Sequence, residues 1–304
     1  MNISKKGNPL VSVIIPTYKR KSILRALNSV LEQDYPNIEV IVVDDNAEFI
    51  EYRNHVQESL SDFIEDDRVQ LIQNKKNLGG ALSRNEGIYA SRGEYIAFLD
   101  DDDWYLPGKI RKQVEVLENS DSAMVYCWSR GENSSGDVVW VNQKSKEGVI
   151  LVDAMIDDCI ASTSLIMCKR EAIFNVGLFE DMPCKQDVFL ELKLASNGYS
   201  FSCVKEELVV YGNVDNGFQR ISNVSSKTVI GFNKVRDYAR SQYDKLSKQE
   251  IKYVESVLSF RICQIAKLIK DKELYKKEMK ISLKNQKNIR RIGRLILDFV
   301  LFDN

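Results

Sequence analysis

Three short runs rich in valine and isoleucine do most to constrain how this chain can fold. Val11–Ile15, Glu39–Val43 and Tyr95–Leu99 are too short for core helices and too uniformly apolar for half-exposed strands, so they predict parallel strands buried on both faces. The segments between them fit helices. Ser22–Leu31 places Ile23, Leu27, Val30 and Leu31 on one stripe, and Ala81–Ala90 follows the Gly79-Gly80 turn. A β-α-β-α-β start of this kind predicts an α/β domain with a mostly parallel sheet. Farther along, the pattern predicts a helix over Lys109–Glu118 and a strand at Ala123–Trp128. A polar surface hairpin follows within Ser129–Gly148, then a strand at Leu165–Lys169, a helix around Asp187–Ser196, and strands at Tyr199–Val204 and Leu208–Tyr211. From about Ser225 the chain turns helical and lysine-rich. The expected division is a main domain over 1–220 and a helical region over 221–304.

Composition narrows the function. The chain has 304 residues, 44% hydrophobic and 29% charged, with a formal net charge of -1. That balance offers no global electrostatic case for nucleic acid as a partner. The six cysteines show no CxxC spacing, which argues against a zinc cage or disulfide framework and fits a reducing cytoplasm. The amino-terminal residues have no apolar signal-peptide core, and no stretch approaches the ~20 apolar residues that span a bilayer. The expected location is therefore cytoplasmic. The single histidine, His55, lies in a charged segment, which disfavours histidine-based metal or triad chemistry.

Each early strand ends in a polar cluster. Pro16-Thr17-Tyr18-Lys19-Arg20 follows the first, Asp44-Asp45-Asn46 the second, and Asp100-Asp101-Asp102-Asp103 follows Leu99. In open α/β sheets, ligands bind outside the carboxyl ends of strands, so the three clusters are expected to face one cleft. Four adjacent carboxylates suit a divalent cation that carries phosphates. A solvated turn is the alternative, with Asp103 capping the helix that begins near Pro107.

Taken in order, these clusters resemble family 2 of the inverting glycosyltransferases, which have the GT-A fold. Asn77-Leu78-Gly79-Gly80-Ala81 with Arg84-Asn85, and Gly177-Leu178-Phe179-Glu180 with Lys185-Gln186-Asp187, extend the resemblance from about Val11 to Tyr211. It implies a GT-A domain with a helical C-terminal extension, acting as a hexosyltransferase on a UDP-sugar with Mn²⁺ or Mg²⁺.

By the same resemblance, Pro16, Thr17 and Tyr18 bind the donor, with the Tyr18 ring packed on uracil. Asp45 accepts from the uracil N3–H, and Arg84 meets the nucleotide or diphosphate. A helix-surface ion pair is the alternative for Arg84. Asp100 opens the DxD pattern, Asp101 lies near the ribose, and Asp102 holds the metal. Asp187 is the expected catalytic base, the alternative being a helix-terminal carboxylate favoured by the macrodipole. Many relatives carry a histidine after the strand ending at Tyr211, whereas Gly212-Asn213-Val214-Asp215-Asn216 has none.

The overall resemblance is to bacterial enzymes of O-antigen and capsule repeat-unit synthesis. It implies transfer of glucose or galactose to a lipid-linked saccharide, with a β-1,3 linkage onto GlcNAc-diphosphoundecaprenol. Residues 281–302 form a basic amphipathic pattern that either lies on the inner-membrane surface or packs on the protein. Two other functional classes stay open: a nucleotidylyltransferase, disfavoured by the absence of glycine in Pro16–Arg20, and a non-catalytic carbohydrate-binding protein.

Overall fold

The computed structural model describes residues 7–63, 65–156, 159–160, 162–212, 226–285 and 295. In chain order, β1 (Val11–Thr17), α1 (Ile23–Leu31), β2 (Ile38–Asp44), α2 (Ile50–Ser59), β3 (Val69–Gln73), α3 (Gly79–Ala90) and β4 (Tyr95–Phe98) build the first half. They are followed by β5 (Asp103–Tyr105), α4 (Lys109–Glu118), β6 (Met124–Glu132), β7 (Val138–Asn142), α5 (Leu151–Ile156), β8 (Met167–Lys169) and α6 (Arg170–Asn175). The chain continues through α7 (Gln186–Ser196), β9 (Phe201–Tyr211), α8 (Ser226–Ser241), α9 (Lys248–Leu268) and α10 (Lys272–Asn285).

These elements group into two units, one of residues 1–150, 159–181 and 193–218, the other of residues 151–158, 182–192 and 219–304. The first holds a mixed sheet of order β3-β2-β1-β4-β8-β6-β9-β5, with β7 paired to β6. Its β3-β2-β1-β4 half is parallel, and β8 joins β4 and β6 antiparallel. Strand β1 is buried along its length apart from the half-buried Pro16, and β2 is buried throughout, as a sheet covered on both faces requires. Gly87 lets α3 approach β1, because a β-carbon there would stand 2.5 Å from the Ile14 side chain.

The acidic tetrad is positioned by a short edge strand. After β4 the chain turns, with the Asp103 N–H donating to the Asp100 carbonyl at 3.0 Å. Asp103 then pairs with Tyr211 as β5 joins β9 antiparallel. This corrects the expectation that Asp103 caps the next helix: it lies in a strand, 4% exposed, and Gly108, in the left-handed region, stands at the N-cap of α4. The two strands expected between Tyr199 and Tyr211 are one, β9, whose register with β6 shifts around Trp128.

In the second unit, α5, α8, α9 and α10 pack together. Ser247 and Glu250 form a reciprocal capping box at the start of α9. The buried Arg236–Glu278 pair ties α8 to α10 at 2.8 Å. Cys263, Ala266, Tyr275 and Leu295 form a local core, and the Tyr275 hydroxyl donates to the Leu295 carbonyl. Leu295 therefore packs inward, while the rest of the amphipathic pattern beyond Asn285 lies outside the described residues, as do Asn213 and Asp215. No described helix is long and apolar enough to cross a membrane.

Candidate active site

The ends of β1, β2 and β4 are neighbours in the sheet, so their polar clusters meet. The Asp45 N–H donates to the Thr17 carbonyl at 3.0 Å, and Asn46 Oδ1 accepts from the Lys19 N–H at 2.7 Å. Lys19 adopts a φ of 54° at this bend. Thr17 in turn donates its hydroxyl to Asp101 Oδ2 at 2.6 Å, linking the first cluster to the tetrad. Pro16, the penultimate residue of β1, pairs with Val43. Tyr18 is 39% exposed and packs edge-on against Phe49, which leaves much of its ring accessible to a planar ligand.

Asp44 and Asp45 are buried and organise the backbone. Asp44 accepts from Asn46, from Arg53 at 3.0 Å and from Gln73 at 3.1 Å. Asp45 Oδ1 accepts from Asn74 Nδ2 and the Leu78 N–H, each at 2.8 Å, and Oδ2 accepts from Asn77 Nδ2 and the Gly79 N–H, each at 2.9 Å. These bonds occupy all the acceptor positions of a carboxylate, so Asp45 holds the turn from Asn74 to Gly79 that launches α3. One turn along, Arg84 is largely buried and pairs with Asp100 at 2.5 Å. Its neighbour Asn85 grips both the N–H and the carbonyl of Phe179, which fixes the Gly177–Phe179 segment.

Four carboxylates in a row are tolerated because each has an ion-pair or hydrogen-bond partner. Arg84 meets Asp100, and Arg20 meets Asp102 directly and Asp101 at 3.4 Å. Ser164 accepts from the Asp100 N–H at 3.1 Å and donates to Asp103 Oδ2 at 2.6 Å, while Thr163 donates to Asp100 at 3.3 Å. Burial pushes Asp101 up to about 7 against the pull of Thr17 and Arg20. Asp102 is raised by burial and then by repulsion from Asp100, and Asp103 is held well above the usual carboxylate range by burial and then by repulsion from Asp100 and Asp102. Charge here is imperfectly offset, the condition under which an added cation is favoured.

Among the described residues no three His, Cys, Asp or Glu side chains converge into a metal cage. The turn offers Asp100 and Asp102, whose side chains are 33% and 22% exposed. That donor set fits Mg²⁺ or Mn²⁺, which bind through one or two carboxylates and complete their shell with water and phosphate oxygens.

The sequence alone gives no role to Arg20, Thr163, Ser164 or Phe49. Arg20 stood inside a cluster already singled out, but Thr163 and Ser164 come from a turn with no motif. Asp187 opens α7 in the second unit, half-buried, with Oδ1 accepting from the Val188 N–H at 2.9 Å.

Comparison with known proteins gives a family. The model of glycosyl transferase family 2 matches residues 12–182. An uncharacterized glycosyltransferase of Haemophilus influenzae is 30% identical over 79% of this chain and 79% of its own length. The Escherichia coli protein WfaP, named as a UDP-Glc:alpha-D-GlcNAc-diphosphoundecaprenol beta-1,3-glucosyltransferase, is 31% identical over 62% of this chain and 71% of its own. Among solved structures, Staphylococcus aureus TarS 1-349 with UDP-GlcNAc superposes with a TM-score of 0.60 at 15% identity, covering 91% of this chain and 89% of that one. The mannosyltransferase PcManGT of Pyrobaculum calidifontis, with GDP-Man and Mn²⁺, gives 0.61 at 18% identity, covering 97% and 80%. The mixed sheet is thus that of the GT-A fold, and the chain belongs to glycosyl transferase family 2 as a glycosyltransferase.

Proposed function

We propose that this enzyme transfers a hexose, glucose or galactose, from a UDP-sugar to a lipid-linked saccharide, with inversion at the anomeric carbon. The observation that carries the reading is the acidic turn at the end of β4, flanked by Arg20 and Arg84 and joined through Thr17 to the exposed Tyr18 ring. A base, a diphosphate and a cation would find a stacking surface, two guanidinium groups and exposed carboxylates within one cleft. The names of WfaP and of the TarS complex, which carry UDP-linked sugars, support the choice of nucleotide. WfaP also supports a GlcNAc-diphosphoundecaprenol acceptor and a β-1,3 linkage.

In this reading Tyr18 stacks on uracil, and the Pro16–Thr17 backbone fixes the nucleoside beside it. Asp45 acts through the turn that it organises and is the residue assigned to uracil N3–H, a contact that requires it to release one of its loop bonds. Asp101 orients toward the ribose, and Asp102 with Asp100 would hold Mg²⁺ or Mn²⁺. A cation held there would offset negative charge on the diphosphate as it leaves. Arg84 and Arg20 contribute further positive charge at that end of the bond. Asp187 takes the proton from the acceptor hydroxyl as its oxygen bonds to the anomeric carbon and the bond to UDP breaks. The domain division at about residue 220 and a peripheral position at the inner-membrane surface complete the proposal.

Incubation with a panel of UDP-sugars and a synthetic GlcNAc-diphosphate lipid tests it, with the product's linkage and anomeric configuration read by NMR. A β-linked hexose from UDP-glucose or UDP-galactose is expected. An α-linked product, or transfer from a GDP-sugar alone, overturns the reading.

A further inference from the structure

The register of the sheet aligns one row of residues across four strands. Trp140 on β7 stands opposite Gly131 on β6. Gly131 is paired with Tyr211 on β9, and Tyr211 with Asp103 on β5. Directly paired residues point to the same face of a sheet, so Trp140 and Tyr211 share the face of the last carboxylate in the acidic turn. Their ring centroids lie 5.1 Å apart at an interplanar angle of 37°.

This contact reaches across β6, and it does so because residue 131 is glycine. A β-carbon at Gly131 would lie 2.2 Å from Nε1 of the Trp140 indole and 2.4 Å from Cε2. The indole therefore occupies the position that any other side chain would fill. With strands spaced about 4.8 Å apart, Gly131 lies roughly 10 Å from Asp103 along the row. The residue after Tyr211, Gly212, packs on the Asp102 carbonyl, so one strand end touches both the aromatic pair and the acidic turn.

Neither Trp140 nor Tyr211 is fully buried. A partly exposed indole at this range from a sugar-transfer centre suits a pyranose ring. The axial C–H groups of one sugar face carry partial positive charge and settle on the negative face of an aromatic ring. A rigid ring also loses little conformational freedom on binding. The charged groups around the turn are suited to the diphosphate; the neutral aromatic pair is suited to a sugar.

We propose that Trp140, seated over Gly131 and backed by Tyr211, is the stacking platform for the acceptor's sugar ring and so selects saccharides whose acceptor residue presents an apolar face. The proposal rests on the glycosyl-transfer reading above but not on which nucleotide carries the donor.

The test compares initial rates of the full-length enzyme and its Trp140→Ala, Trp140→Leu and Trp140→Phe variants. Synthetic GlcNAc-diphosphate lipid is varied at saturating donor, and donor is varied at saturating acceptor, using whichever sugar nucleotide the wild-type enzyme transfers. Loss of the platform is expected to raise the acceptor KM about tenfold or more in the Ala and Leu variants, with the donor KM within about twofold. Trp140→Phe, which keeps an aromatic face, is expected to recover most of that loss. The Leu variant retains apolar volume and serves where the Ala variant fails to fold. An acceptor KM unchanged within about twofold in the Leu variant overturns the proposal. So does a donor KM that rises in step with the acceptor KM, since that is the signature of a purely structural tryptophan. A wild-type enzyme that transfers only from a GDP-sugar would overturn the nucleotide assignment while leaving the acceptor comparison intact.

Discussion

The carbonyl oxygen of Asp102 lies 2.1 Å from the point where a β-carbon on Gly212 would stand. The obstacle is backbone, so neither partner can relieve the clash by a rotamer change. Gly212→Ala is therefore expected to displace the acidic turn at a cost of about 1–3 kcal/mol, and to reduce sugar transfer more than it reduces stability. Parallel thermal melts and transfer assays check this. Wild-type turnover in Gly212→Ala would show that the turn does not need this close approach.

Arg20 faces Asp101 and Asp102 where an added cation would also be drawn. Arg20→Ala is expected to lower stability without metal by about 1 kcal/mol, a modest figure because both side chains keep some solvent screening. With the competing guanidinium gone, Mn²⁺ should raise the melting temperature of the variant more than that of the wild type. Equal metal-induced shifts would contradict the view that Arg20 and the cation share the same carboxylates.

Asp45 supplies four acceptor positions to the turn before α3. Asn at this position replaces one oxygen with a donor and sets it against a donor partner. The expected cost is about 2–4 kcal/mol for buried groups left unpaired, which lowers the melting temperature by several degrees. A melting temperature within a degree or so of wild type would remove Asp45 from this structural task.

Lys109 is fully buried, its side-chain nitrogen 4.0 Å from the centre of the Tyr105 ring and without a hydrogen-bond partner among the described residues. Burial pushes its pKa down from 10.5 to about 7. Between those values the unfolded chain holds a proton that the folded chain has released, so this residue makes stability rise with pH from about 7 toward 10 and penalises the fold most below that window. The slope approaches about 1.4 kcal/mol per pH unit within it. Lys109→Met is expected to be more stable at pH 7 and to lose that slope, as chemical denaturation at several pH values would show. Identical slopes between pH 7 and 8.5 would contradict the assignment.

Much of the fold was legible because its signals are local. Strands β1, β2 and β4 are nearly unbroken apolar runs, and α1 and α4 carry clear stripes. By contrast β3 is only half-buried, and α2 buries a single residue, Val56, so neither has a period to detect. The meaning of Asp103 was illegible for a different reason: its partner Tyr211 is far away in sequence, and a three-residue edge strand has no signature of its own. The candidate site divides the same way. Tyr18, Asp45 and the tetrad follow strands directly, whereas Ser164, Thr163 and Gly212 brace the tetrad from segments whose proximity only the folded sheet creates.

The central claim, a metal-assisted UDP-sugar site built on the acidic turn, is tested most directly by isothermal titration of UDP into the wild-type enzyme and Asp102→Asn, each with and without Mn²⁺. The expected result is UDP binding to the wild type that tightens about tenfold or more with Mn²⁺, equivalent to about 1.4 kcal/mol, and no such gain in Asp102→Asn. UDP binding that is absent, or equally tight with and without Mn²⁺ in the wild type, would contradict it.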